Sequence, residues 1–561
     1  MPANTHHSPH QRHRLTSLSV AALSALLLLV PTVSSAADPT QHPSSASVLE
    51  QDVLNAVSEA DFSRVWDFDN GEVTEQVPQV DVAVIELGED GSIRDTANIL
   101  VSRDYPNGVI APIDSALSSS SVRWIRWNQN AFDGNGTYGE GTDIVPGRED
   151  APLRYMSTYP ASLLKSMVAF GLVFLSDHGA IDLSSDYTFS GTTKSIQTWS
   201  AEMIQYSNNT SAQAMIKLLH EVEYEGQSGI DFLNDELQRL GLTTLQLQGT
   251  SSSTGGNWSN GGVTMTAFDI ARLDLVLDGG NGGVLWTTDK GVDVSADVIS
   301  TEGRNWLMTL WQGTAFHWML DTGNFCDWTT PYTGERQYPA RGIPAVVPDS
   351  TLNADGTSKI AWADSPFATI DIRPCNSEAE VTYYNKYGLT YNAGADAGIV
   401  KSLEGKDFRH YIIAVTSNLG YRYGDEELAA TENACLSNES SFCYTERFPI
   451  MAAKIDAAIA ARDAEPAQPS PTPTSISPTP STPATSDEPS VEQSTTPSVT
   501  ETTTTALPST DSTTSTANLA SNGESLANTG ASGTAPLVLI GLLVLGAGIA
   551  LTVVVRRQTS N

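Results

Sequence analysis

Pro160-Ala161-Ser162-Leu163-Leu164-Lys165 opens an apolar run that continues to Leu175 and stops at Asp177-His178-Gly179. Proline in the first turn and glycine just past the end predict a helix. Ser162 then stands at the helix start, where free N–H groups and the helix dipole favour developing negative charge. Lys165 follows one turn later on the same face, within side-chain reach. An ammonium on an apolar helix is costly to bury, so the pKa of Lys165 is expected to fall and the amine to serve as a base. A serine beside such a base is the core of covalent acyl transfer.

Working outward, Ser207-Asn208-Asn209 lies within Ala201 to Leu219, with a loop or helix-start cap as its plainer reading, and Lys386-Tyr387-Gly388 lies inside the β-rich stretch Val381 to Thr390. Taken in order, these motifs resemble the S-x-x-K, S-D-N and K-T-G set of the penicillin-recognising serine enzymes, the class A β-lactamases and low-molecular-weight penicillin-binding proteins. The resemblance implies an acyl-enzyme on Ser162 with Lys165 as base. It implies that Ser207 relays a proton to the leaving group and that Asn209 holds a substrate amide. It also implies that Lys386 and Gly388 border a carboxylate site, and that the N–H groups of Leu389 and Ser162 hold the oxyanion. Tyr387 departs from the pattern, a ring standing where the family has a small hydroxyl. Asn208 replaces the aspartate, and Tyr206-Ser207-Asn208 also spells the Y-x-N of the class C enzymes. The substrate implied is a β-lactam or a peptide amide of the D-Ala-D-Ala type, with no cofactor.

One absence matters as much. Class A β-lactamases carry a glutamate on the loop after the second motif, where it activates the deacylating water. Here no Asp or Glu occurs from Leu237 to Phe268. The parts for acylation are present and the usual hydrolytic base is missing, so a penicillin adduct should be long-lived. The alternative reading is a non-catalytic, wall-anchored binding or adhesion protein with a degenerate fold of this type.

Around these motifs, Ser47 to Trp66 reads as a helix. Val80 to Leu87 reads as a strand leading to the turn Glu89-Asp90-Gly91, His410 to Thr416 as another strand, and Phe448 to Ala461 as a closing helix. Strands and a helix at both ends of a helical middle predict an α+β fold. It would be an antiparallel sheet flanked by terminal helices plus a helical lobe, β-lactamase/transpeptidase-like, over residues 46–463. Relative to that family, insertions lie near 103–150 and 344–383, the second beginning just after Gly342-Ile343-Pro344.

The ends predict where the chain works. Arg12 and Arg14, an apolar Leu15 to Val30 and the small residues Ser34-Ser35-Ala36-Ala37 make 1–37 a secretory signal, with a membrane anchor as the alternative. Residues 465–525 contain 39 Ser, Thr or Pro and no Lys or Arg, so they cannot bury enough apolar surface to fold and read as an extended stalk. In 526–561, Leu526-Ala527-Asn528-Thr529-Gly530 precedes the apolar run 536–555 and Arg556-Arg557. That order resembles the L-A-x-T-G variant of sortase substrates of Gram-positive bacteria. It implies covalent attachment to peptidoglycan by sortase at the cell surface; a permanent transmembrane helix is the alternative.

A formal charge of −35 argues against nucleic acid as a partner. Cys326, Cys375, Cys435 and Cys443, in an exported chain, suggest two disulfides. Proximity favours Cys326–Cys375 and Cys435–Cys443 among the three pairings. No C-x-x-C or histidine cluster points to a metal.

Overall fold

The computed structural model describes residues 46–134, 140–259, 261–315, 319–321, 342–359, 371–426 and 447–464. The expected signal 1–37, stalk 465–525, sorting segment with its apolar run 536–555, and Cys326, Cys435 and Cys443 lie outside the described residues. Among the described residues no helix is long and apolar enough to cross a membrane.

The fold is α+β. Its main sheet has six antiparallel strands: β1 (Val80–Leu87), β2 (Ile93–Ser102), β3 (Tyr105–Ile110), β4 (Val381–Thr390), β5 (Ala393–Ser402) and β6 (His410–Ser417). Their order across the sheet is β4-β5-β6-β1-β2-β3. The first and last parts of the chain therefore meet at the β6–β1 seam, Ser417 opposite Val80 and Tyr411 opposite Glu86. All eight residues of β1 are buried, which explains why VDVAVIEL reads as a continuous apolar strand rather than an alternating one. Period-two geometry sorts its side chains between two cores. Val80, Val82 and Val84 enter one core with Leu49, Val53, Phe448 and Ile455 of the terminal helices. Ala83, Ile85 and Leu87 enter the other.

The terminal helices are α1 (Val48–Glu59) and, at the far end, Arg447–Ala464. A reciprocal capping box between Ser47 and Glu50 starts α1. The expected helix Ser47 to Trp66 is too long. The chain leaves it at Ala60, Asp61 adopts a left-handed φ of 49°, and Val65–Asp67 becomes a short strand paired with Tyr423–Asp425. Edge pairing, invisible in a local pattern, wins over helical spacing.

The second face of the sheet carries the helical lobe. Helix α2 (Leu164–Asp177) is buried at every position from Leu164 to Leu175 and ends at Gly179, φ 74°. Around it stand α3 (Ile196–Gln205), α4 (Asn209–Glu221), α5 (Gly229–Arg239), α6 (Ala267–Asp278) and α7 (Thr301–Gln312). Alanines at 83, 395, 397 and 414 on this face let α6 pack close to the strands. Asp81 reaches from β1 to accept the N–H of Ala267 at 2.8 Å and so caps α6.

Both expected insertions contribute regular elements. Tyr105–Ile110 adds the sixth strand, and Val122–Ile125 pairs in parallel with Leu153–Met156. In the second, Val381–Tyr383 already belongs to β4, and Arg373–Asn376 forms a short helix. Cys375 on that helix is buried and disulfide-bonded.

Candidate active site

The three sequence motifs converge on one spot where α2, α4 and the edge strand β4 meet. A single 3₁₀ turn, Ala161–Leu163, precedes α2 and holds Ser162. Ser207 ends the turn between α3 and α4, Asn208 caps α4 by accepting the N–H of Ser211 at 2.9 Å, and Asn209 is the first residue of that helix. Asn208 therefore has a local job as a cap. Lys386, Tyr387, Gly388 and Leu389 lie on β4.

Gly388 is required by contact. A Cβ there would stand 2.3 Å from Pro160 O and 2.8 Å from Ser162 N, so strand and nucleophile turn touch through backbone alone. This closeness brings the amide of Leu389 to the edge occupied by the amide of Ser162. Backbone strain gathers here as well. Ala161, Ser207 and Asn257 are non-glycine residues with φ of 49°, 52° and 64°.

Lys165 Nζ makes four short contacts: Ser207 O at 2.6 Å, Asn209 Oδ1 at 2.8 Å, Ser162 Oγ at 2.9 Å and Ser207 Oγ at 3.1 Å. Two of these partners, a carbonyl and an amide oxygen, can only accept. A neutral amine satisfies both with its hydrogens and keeps its lone pair for the Ser162 hydroxyl. Lys165 is fully buried. Burial first, and then the charge of Lys386, hold its pKa well below the ordinary lysine value.

Lys386 is also fully buried and donates to Ser207 Oγ at 3.1 Å. Burial lowers its pKa to about 7, against the raising influence of Asp396. Two amines thus flank the hydroxyl of Ser207, an arrangement suited to handing a proton across it. Tyr387 does not point away. It is 4% exposed, its hydroxyl bonds to Ser207, and its ring centroid lies 4.0 Å from Lys386 Nζ. The departure from K-T-G therefore places a phenol, not an empty space, beside the motif serine.

Two contributors escaped the sequence reading. Asp396, opposite Tyr387 on β5, is buried and accepts from Asn385 Nδ2 at 2.9 Å; its only sequence signal is an acid in an apolar strand. Trp258, from the acid-free loop, stands 6.0 Å from Lys165 Nζ with its indole N–H given to Gly255 O at 2.8 Å. Gly255 anchors that loop. A Cβ there would fall 1.8 Å from Gln213 O on α4. An aromatic residue in a Gly/Ser-rich loop was the available clue.

No protein-family model matches the chain, and no curated protein matches it. Solved structures are similar at low identity. TLA-3 extended-spectrum β-lactamase is 11% identical, with 73% of this chain and 99% of that one covered, at a TM-score of 0.36. A β-lactamase from Chitinophaga pinensis is 13% identical, with 74% and 98% covered, at 0.35. PBP-A is 13% identical, with 73% and 95% covered, at 0.33. At these scores the likeness carries no weight, and the functional reading stands on the chain's own residues.

Proposed function

We propose that this chain is an exported, wall-anchored serine hydrolase of the class A β-lactamase-like type. It acts through an acyl-enzyme on β-lactams or peptide amides of the D-Ala-D-Ala type. The observation that carries this reading is Ser162 Oγ 2.9 Å from a fully buried Lys165 amine bonded to no carboxylate among the described residues. Ser162 gives its proton to Lys165 as its oxygen attacks the carbonyl carbon. The amides of Ser162 and Leu389 hold the oxyanion, and Ser207, between Lys165 and Lys386, passes a proton to the departing nitrogen. Lys386 in its ammonium form and the Tyr387 hydroxyl meet the substrate carboxylate, and the amide of Asn209 steadies the acyl side chain. Secretion, the stalk and sortase attachment to peptidoglycan rest on the terminal sequences.

Release of the acyl group is the slow step. The loop that would carry a water-activating acid has none from Leu237 to Phe268, and an indole stands near Lys165 instead. Losing a general base costs about 10²–10⁴-fold. Incubation with a fluorescent penicillin should therefore leave a persistent adduct on Ser162, seen by intact-protein mass, and Ser162→Ala should abolish it. Labelling elsewhere, or fast multi-turnover hydrolysis of a reporter cephalosporin, would count against the assignment. Tyr387 favours the second reading, a non-catalytic binding protein, because its ring occupies space beside Lys386; absence of any adduct would select it.

A further inference from the structure

A pocket of about 490 Å³ opens between the 103–150 region and the end of the Trp258 loop, lined by Arg126, Trp127, Asn128, Gln129, Thr142 and Gly261. It is a built feature. Arg126 N bonds Thr142 O at 2.9 Å, which holds the first wall together, and the Arg126 guanidinium bonds Gly261 O across to the second. Gly141 has no room for a side chain, since a Cβ would lie 2.6 Å from Ile125 Cγ2.

Arg126 is the informative residue. Its guanidinium donates to Gly261 O, to Gln246 Oε1 at 2.5 Å and to Gln248 Oε1 at 3.2 Å, all neutral acceptors. Its neighbours on the paired strands differ: Arg123 holds Asp143 and Arg154 holds Asp104, each at 2.7 Å. Among the described residues no carboxylate is bonded to Arg126. A half-buried cation satisfied only by neutral oxygens, in a chain of net charge −35, is a place for an anion from outside. These bonds use both hydrogens of Nη2 and one of Nη1, so Nε–H and one Nη1–H are left, enough for a single charge-assisted bond to an anion. Trp127 adds an aromatic wall; the Gln129 amide is taken up by Trp127 Nε1 and Asp133, and the Asn128 oxygen caps the short helix that follows by accepting the N–H of Ala131.

Both walls are linked along the chain to the active site. Asn128 N contacts Met156 Sδ at 3.1 Å, and Met156 precedes Ser162 by at most about 20 Å of extended chain. Gly261 closes the loop whose Trp258 faces Lys165. We infer that this pocket is a distal subsite for an acidic peptide acyl donor, with Arg126 taking a carboxylate up to about six residues before the scissile amide. The inference rests on the serine acyl-transfer reading above and names its substrate class.

The test uses the full chain and dye-labelled peptides of about seven residues ending in D-Ala-D-Ala. A single Glu is walked along each, with Gln at the same position as control, and binding is read by fluorescence anisotropy. At one distal position the Glu peptide should bind about ten-fold tighter than its Gln twin, the scale of one charge-assisted pair. That preference should weaken with salt and vanish in Arg126→Gln. Trp127→Ala should weaken both peptides alike. No Glu preference in the native protein overturns the inference without need of any variant, and so does a preference that survives Arg126→Gln. Fluorescent penicillin separates the two readings because its reaction with Ser162 involves no distal Glu. Labelling without Glu preference sinks the subsite alone; Glu preference without labelling sinks the acyl transfer and leaves an acidic-peptide site.

Discussion

The Lys165–Lys386 pocket and the cluster around Asp278 both take charged side chains out of water, and they do so in opposite ways. The side chain of Asp278, at the end of α6, is 1% exposed and receives Lys401 at 2.6 Å, with His410 Nε2 at 2.8 Å. Burial alone would raise its pKa, but the bonds and charges of His410 and Lys401 outweigh that and hold it below the ordinary carboxylate value. Lys165 has hydroxyl, carbonyl and amide oxygens around it and a second amine as its charged neighbour, so its pKa moves away from charge. One region pairs opposite charges and stays ionised. The other withholds the counter-ion from Lys165 and keeps an amine that can accept a proton. The difference marks structural ionisation from chemical use.

The largest expected effect breaks the first half of that contrast. Lys165→Met keeps the volume and removes the base, so acylation of Ser162 by a penicillin should fall about 10²–10⁴-fold. The unfolding midpoint should stay level or rise, because a desolvated amine has been removed. A variant that loses stability while acylating normally would reverse the assignment of roles. Stopped-flow labelling and a thermal melt on the same sample read both quantities.

Asp278→Asn probes the other half, with a smaller effect of the opposite kind. Weakening a buried acceptor of Lys401 and His410 should cost about 1–3 kcal/mol of stability and leave the rate of Ser162 labelling unchanged. Denaturant unfolding checks the first outcome and the labelling assay the second. The folded pKa of Asp278 is depressed, so its contribution is present above the unfolded value near 3.8 and disappears only as the pH falls through the lower folded value.

How much of this could be seen beforehand follows from what local sequence encodes. The nucleophile helix, the strands Val80–Leu87 and Val381–Thr390 and the closing helix are legible because apolar period and punctuation act over a few residues. Gly388 is legible as a glycine, but its reason, contact with Pro160 O and Ser162 N, is tertiary. Tyr387 is legible as a departure from the third motif, but its bond to Ser207 is tertiary. Trp258 and Asp396 could not be placed, since each reaches the site through long-range packing. The strand Val65–Asp67 was hidden because its partner, Tyr423–Asp425, is hundreds of residues away.

The smallest effect is the most diagnostic, because pH separates the two lysines within one pocket. Acylation under second-order conditions reports the free enzyme. It needs Lys165 neutral, so the rate should rise with pH through that residue's depressed pKa. It also needs Lys386 charged to meet a substrate carboxylate, so the rate should fall above about pH 7, where Lys386 loses its proton. The sign follows from the causes: burial pushes Lys386 down, and Asp396 pushes it up. Asp396→Asn should therefore move the falling limb to lower pH, while Asp278→Asn, far along the sheet, should leave it in place. A β-lactam whose carboxylate is esterified should lose the falling limb altogether, at the cost of a slower rate near neutrality. If the limb persists with the ester, Lys386 acts through Ser207 on proton transfer rather than on the substrate carboxylate. The contrast between the two regions would then narrow to Lys165 alone.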